Sequence, residues 1–448
     1  MNKFKIPVFK TNVKELDKTS VDSIIREHKN FKSRYKHTYD YYIGNHKILY
    51  KTMSDTSKPN SKVICSLPSY SVDIRTGYFS GEPITFTSEN EKQQEAVLNV
   101  LEYNDFQDIN SELDKLSTIY GHAFLILWID EDGQIRMATE SPDNVILVHD
   151  NTLAANPIGA IRYFEYKDAA TNNDILEMTV FKKNKIEYYT GSHSSLRLIK
   201  EEPNYFGDIP VIEFMENAER KCCYIDAIST VDAIEEILSS CMNEIEYFGS
   251  CYMTFKGLTE TEPEDIQDMK NNRSIILEEG GEVQFITREI NDTFIQNTLN
   301  NLTERYHMLT KTPALSDELF SGNSTGVALK YKLFGLEKDL SKKESKWRKS
   351  IQKMLELVTN RLNMIGGSYK YQDVKITFSR ALPTDNLENA QLISQLNGIV
   401  PTETLMAQLD FIEKPKEEMK KLQEEKMQQY NSIQMYNFDK AGDSNESK

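Results

Sequence analysis

GVALKYKLFGLEKDLSKKESKWRKSIQKMLELVTNRLNMIGG, residues 326–367, is the most strongly patterned stretch of the chain. Leu329, Leu333, Leu336, Leu340, Trp347, Ile351, Met354, Val358, Leu362 and Ile365 recur mostly at three and four residues, which draws one apolar stripe along a helix. From 327 to 365 at ~1.5 Å per residue that helix is roughly 58 Å long. Gly366-Gly367 ends it. The same segment carries ten Lys or Arg against four Asp or Glu. A basic amphipathic helix can lie on a membrane surface, but a stripe built from Trp347 and many leucines is better explained as core.

Immediately before the helix, Gly322-Asn323-Ser324-Thr325-Gly326 satisfies the G-x-S-x-G pattern of a nucleophile elbow. An elbow needs a strand before the Ser, a helix after it, and a later Asp and His. The helix is present. The preceding PALSDELFS has neither β-branched residues nor alternation, and all seven histidines (28, 37, 46, 122, 149, 193 and 307) precede Ser324. A flexible Gly-Ser-Thr loop, with Ser324 or Thr325 capping the helix, is the better reading. No Gly-Lys dipeptide occurs, so there is no phosphate-binding loop of the G-x-x-x-x-G-K-[ST] type. DEDG at 130–133 resembles a calcium loop, but Trp128 stands where the first ligand belongs, and Asp132-Gly133 already explains a hairpin turn. No metal site and no cofactor is expected.

The chain has 448 residues, enough for two or three domains. Its formal net charge of -16 argues against wrapping DNA through clustered cations, but not against letting DNA slide past. The 43 Tyr and Phe (23 and 20) suit subunit or domain contacts as well as burial. Five cysteines (65, 222, 223, 241 and 251) without a C-x-x-C indicate neither a disulfide framework nor zinc, and point to a reducing compartment. The N-terminal MNKFKIPVFK lacks an apolar signal core, and AFLILWI at 123–129 is too short to span a bilayer.

The remaining pattern alternates in type. Residues 19–43 read as a helix that Thr19 and Ser20 cap and Gly44 stops. LPSYSVDIRTGYFSGEPITF reads as a short helix, a Gly turn and a strand from Pro83, and 91–120 as helix again. Residues 121–214 then read as β: a hairpin at Asp132-Gly133, followed by strands of period two. Residues 226–248 and 290–311 read as helices flanking a small mixed segment. Its part from 257 to 289 holds nine Asp or Glu against three Lys or Arg. Two long helices around a compact insert describe a stalk with a head. VKITFSR is a strand, 385–397 and 402–412 are helices, a charged helix runs from Lys416 to about Tyr430, and a polar tail follows.

YYIGNHKIL, GYFSGEPITF, IYGHAFLILWIDEDG, SPDNVILV, FSGNSTGVALKYKLFGLE and ITFSRALPTDNLENAQLI occur in the order seen in portal proteins of tailed bacteriophages, and the chain resembles the SPP1 Gp6-like family from about residue 35 to 425. The resemblance implies an α+β subunit with an α/β wing, a two-helix stem, a small α/β clip, a long wing helix and a helical crown. On this chain the wing falls at 1–225 and 327–380, the stem helices at 226–250 and 290–311, and the clip at 251–289. The tunnel loop falls at 312–326, the crown at 381–430 and a disordered tail at 431–448.

It further implies a homo-oligomeric ring, usually a dodecamer, at one capsid vertex of the virion, assembled in the host bacterial cytoplasm. Double-stranded viral DNA passes through the channel, terminase supplies ATP hydrolysis, and head-completion, capsid and scaffolding proteins dock. Asp317, Glu318, Ser321, Gly322, Asn323, Ser324 and Thr325 would then face DNA. Glu260, Glu262, Glu264, Asp265, Asp268, Glu278, Glu279 and Glu282 would form an acidic clip that repels DNA from the wall. The competing readings are a serine hydrolase using residues 322–326 and a scaffolding or filament-type protein. The β-rich 121–214 region argues against the latter.

Overall fold

The computed structural model describes residues 6–55, 58–169, 172–192, 195–248, 252–256, 282–286, 292–315, 326–380, 393–396, 398–406, 418–425 and 427. It divides into two units, Met1–Leu319 with Tyr331–Ala381, and Phe320–Lys330 with Leu382–Lys448. The architecture is mixed α and β.

In the first unit a six-stranded sheet has the order β1-β5-β6-β7-β8-β9. Its strands are β1 (Phe9–Thr11), β5 (Val145–Asp150), β6 (Pro157–Lys167), β7 (Asp174–Phe181), β8 (Lys185–Gly191) and β9 (Arg197–Pro203). The period-two alternation sorts its side chains onto two faces. Ile146, Val148, Ile161, Tyr163, Leu176, Met178 and Val180 share one core with Val21, Ile24, Ile25, Phe31 and Tyr35 of helix α1 (Lys18–Tyr42). Val145, Leu147, Ala160, Phe181 and Ile186 point the other way and share a second core with Phe124, Ile126 and Val211. Those three belong to a smaller sheet of order β10-β3-β4, from β3 (His122–Ile129), β4 (Ile135–Glu140) and β10 (Val211–Met215).

The β3–β4 hairpin turns where Asp132-Gly133 is expected to turn it. Gly133 has φ +77, and the Asp130 carboxylate accepts from the backbone N–H of Asp132 (3.1 Å) and Gln134 (2.8 Å). The carboxylate that suggested a calcium loop therefore serves the turn itself.

Helix α1 starts one residue earlier than expected, and its cap is Asp17, which accepts from the Ser20 N–H while the Ser20 hydroxyl accepts from the Asp17 N–H. The run at 91–120 is two helices, α3 (Glu91–Tyr103) and α4 (Phe106–Tyr120), broken at Asp105 with φ 50. Helix α2 (Leu67–Ser80) admits Pro68 in its first turn, where the missing N–H costs nothing. The three-residue strand β1, parallel to β5, carries too little pattern to be seen in the sequence.

Helices α5 (Ile228–Phe248) and α6 (Asp292–Thr310) pack on each other. Between them in the chain stand β11 (Tyr252–Lys256) and β12 (Glu282–Ile286), paired antiparallel. The long helix, α7 (Gly326–Met364), follows the expected stripe, with Leu333, Leu336, Leu340, Trp347, Ile351, Met354 and Val358 buried. The stripe stops there: Leu362 is half-exposed and Ile365 exposed. Gly366, at φ +112, follows the C-terminus of α7, and the Gly367 N–H donates to the Leu362 carbonyl (3.0 Å). Strand β13 (Val374–Thr377) pairs with β2 (Thr85–Ser88). In the second unit α8 (Thr402–Met406) is described, with helical residues at 393–396 and 418–425.

Candidate functional site

Where α6 ends, the chain turns through Lys311 at φ 55 and is held down before it reaches residue 316. Thr310 and Thr312 are buried. The Tyr70 hydroxyl of α2 donates to the Pro313 carbonyl (2.9 Å) and accepts from the Leu315 N–H (2.7 Å). One aromatic side chain thereby satisfies two backbone groups of an otherwise irregular segment. His307 Nδ1 donates to the Thr312 carbonyl (2.9 Å).

Beneath this root lies a buried charge cluster drawn from five elements. Arg75 of α2 pairs with Glu216, just past β10, at 2.6 Å and with Asp339 of α7 at 2.9 Å. Its other terminal nitrogen donates to the Thr310 carbonyl at the end of α6 (3.3 Å). Lys311 pairs with the second oxygen of Asp339. Lys343, one helical turn further along α7, pairs with both Asp114 of α4 and Glu216, and donates to the Thr118 hydroxyl at 3.0 Å. Three cations thus face three carboxylates. Isolated, Arg75, Lys343, Asp114 or Glu216 would be too costly to bury, while Lys311 closes the cluster from its exposed side.

The electrostatics follow from that packing. Burial opposes ionisation of Glu216, yet Lys343 and Arg75 together outweigh it and hold the carboxyl below its usual range. Asp339 behaves the same way, its burial overcome by Arg75 and Lys311. Asp114 is the exception: burial prevails over Lys343 and raises its carboxyl. Lys343 and Arg75 are themselves held protonated by the carboxylates around them, against their burial. Lys343 also lies over the rings of Trp347 (5.0 Å) and Phe79 (5.2 Å), which pack edge to face. The cluster is a joint. It ties α6, α2, α4, β10 and α7 beside residues 310–315.

Of the residues expected to act, Asp317, Glu318, Ser321, Gly322, Asn323, Ser324 and Thr325 lie outside the described residues, as do Glu260, Glu262, Glu264, Asp265, Asp268, Glu278 and Glu279. Glu282 opens β12 opposite Lys256. The joint itself was not anticipated. One signal pointed to it: the apolar stripe leaps from Leu340 to Trp347, and Lys343 fills the missing inward position.

Among the described residues no group of three or more His, Cys, Asp or Glu is placed to hold a metal ion, and no helix is long and apolar enough to cross a membrane.

The family model described as phage portal protein, SPP1 Gp6-like, matches residues 21–431. The portal protein of Bacillus phage SPP1 is 24% identical over 409 residues, covering 87% of this chain and 80% of that protein. The portal protein of Clostridium phage phiCD119 is 22% identical over 386 residues, covering 81% and 84%. Among solved structures, the neck of a native GTA particle computed with C12 symmetry aligns over 77% of this chain and 90% of that one, with a TM-score of 0.47 and 11% identity.

Proposed function

The chain belongs to the SPP1 Gp6-like family of phage portal proteins, and on that premise we propose that it forms the ring, dodecameric in the usual case, through which double-stranded DNA enters and leaves a bacteriophage head. The carrying observation is the extent of the family match, residues 21–431, which takes in α1 from Val21 onward and every later element of the first unit through β13. The family is structural and non-enzymatic, and the subunit's contribution is a shaped channel. Terminase, head-completion proteins, capsid and scaffold are the partners such a ring requires.

In this reading the two sheets, α1 to α4 and α7 make the wing. Helices α5 and α6 make the stem, 251–289 the clip, 312–326 the tunnel loop, 381–430 the crown and 431–448 the tail. The packed pair α5 and α6 supports a stem that needs neighbours: Met242 (47% exposed), Ile245 (59%) and Met308 (71%) stand in solvent on a single chain. Apolar side chains on the outside of a helix pair are what a head-to-tail ring would cover. The purified protein is expected to give closed rings with a central hole in negative-stain micrographs and a multiple of the 51.8 kDa subunit mass in solution. A stable monomer or two-fold dimer across protein concentration and salt would overturn the reading.

A further inference from the structure

The acidic residues of α7 are all engaged. Glu337 pairs with Arg380 (3.3 Å), Asp339 with Arg75 and Lys311, Glu344 with Arg348 (2.9 Å) and Arg380 (2.7 Å), and Glu356 with Lys353 (3.0 Å). Its lysines are not balanced in the same way. Lys332, Lys338, Lys342 and Lys349 are exposed and Lys346 is half-buried, and none of the five has a carboxylate partner among the described residues. Lys338 only leans over the neighbouring Phe334 ring, at 5.4 Å.

At about 100° per residue these five fall within an arc of roughly 120°. The buried stripe through Leu336, Leu340, Trp347 and Ile351 is centred about 130° from the middle of that arc, with Lys332 at the edge nearest to it. Between Lys332 and Lys349 the one carboxylate inside the arc, Asp339, is already neutralised by Arg75 and Lys311. The result is a cationic ridge along α7 on a chain whose net charge is -16. Lysines at i,i+4, such as Lys338, Lys342 and Lys346, repel one another and weaken the helix they sit on. A polyanion laid along them would offset that repulsion.

We infer that this ridge binds the phosphate backbone of double-stranded DNA, at a place distinct from the loop at 312–326. The inference rests on the portal reading for the presence of DNA, and on the ridge for where it touches. From Lys332 to Lys349 the ridge is about 26 Å long at ~1.5 Å per residue, which spans some seven steps of a duplex at ~3.4 Å per phosphate along one strand. A lipid surface fits less well, because an interfacial helix offers its apolar face to the bilayer and the apolar face of α7 is in the core. Flexible lysine point charges suit sequence-independent binding of phosphates.

The test compares duplex binding by the wild type, by the ridge variant Lys332→Gln, Lys338→Gln, Lys342→Gln and Lys349→Gln, and by a control in which exposed Lys14, Lys47, Lys92 and Lys183 become Gln. Fluorescence anisotropy with a short duplex is read across a salt series, with ring closure followed by microscopy. The ridge variant should close rings and bind DNA more than about tenfold more weakly. Its slope of log K against log salt should be shallower by about 0.9 for each phosphate that the missing lysines no longer neutralise. The control should match the wild type. Unchanged affinity and slope in the ridge variant, or an equally weakened control, would overturn the inference. So would ridge-variant rings that fail to close, since the ridge would then be part of the interface between subunits. Should the wild type bind duplex through the ridge without forming rings, the inference stands and the portal reading fails.

Discussion

His28 is fully buried on the inner face of α1. It can serve there only as a neutral ring, with Nε2–H donating to the Pro142 carbonyl (2.7 Å) and Nδ1 accepting from the Tyr163 hydroxyl (2.8 Å). Burial, with a smaller contribution from the nearby Lys32 and His122 charges, lowers its pKa to about 4. An unfolded chain takes up the proton near pH 6.5, so the unfolded state binds more protons than the folded one between 6.5 and 4. Stability from this residue is complete above 6.5 and is lost as pH falls to 4, by about 3 kcal/mol at ~1.4 kcal/mol per pH unit. His46 works in the opposite sense: burial disfavours its charge, but Glu235 and the Tyr41 carbonyl prevail and raise it, so its share is present at low pH. The comparison therefore belongs between variants. His28→Gln can keep both hydrogen bonds and cannot titrate, and its melting temperature should fall less than that of the wild type between pH 7 and 5. Equal falls in the two proteins would show that His28 does not set this part of the acid response.

At the scale of elements, α7 is fixed to α2, α4 and the end of β10 by a polar joint inside an apolar seam. Trp347 packs on Phe214 (ring centroids 4.8 Å apart) and donates to Asn110 Oδ1 (2.9 Å), while Lys343 holds Asp114 and Glu216 below it. Lys343→Met should lower stability by about 3–5 kcal/mol, because it takes from the buried Asp114 the cation it pairs with and leaves Glu216 with Arg75 alone. Adding Asp114→Asn should recover part of that stability, read as a positive coupling in denaturant unfolding of the double-mutant cycle. Additive effects would show that Asp114 and Lys343 act independently.

The helix itself was legible in the sequence from its stripe, and the β3–β4 hairpin from Asp132-Gly133, since periodicity and turn chemistry are local. Long-range polar pairs leave no such trace. The extended segment at 61–65 shows why: the N–H groups of Ser61, Val63 and Cys65 donate to Asn243, Ser239 and Glu235 at 2.6, 3.0 and 2.8 Å. Two extended residues advance about 6.7 Å and four helical ones about 6 Å, so every second N–H meets every fourth side chain of α5. Neither segment announces that match alone. The joint around Arg75 was hidden for the same reason, its members being scattered from residue 75 to residue 343.

At the scale of the whole molecule, charge placement separates a wall that lets a duplex slide from a surface that holds it. The chain has no Lys or Arg between Lys311 and Lys330, and Asp317 and Glu318 fall in that interval. The root of the interval is anchored within the first unit: Lys311 on Asp339, Pro313 and Leu315 on Tyr70, and Thr310 on Arg75. None of the residues that build the joint or the α5–α6 pair is 317, 318 or 323, and ring closure should survive substitutions there. Replacing Asp317, Glu318 and Asn323 with Lys removes two negative charges and adds three positive ones per subunit, repeated around the ring. Each phosphate neutralised there adds a salt-sensitive increment to affinity, and a duplex held at many subunits at once cannot advance. Capsids carrying the triple variant should stall in a packaging assay, with partial relief at higher salt as the added charges are screened. Rings of the same variant should look normal in micrographs. Normal packaging would place the 312–326 segment away from DNA, and rings that fail to close would make it part of the subunit interface.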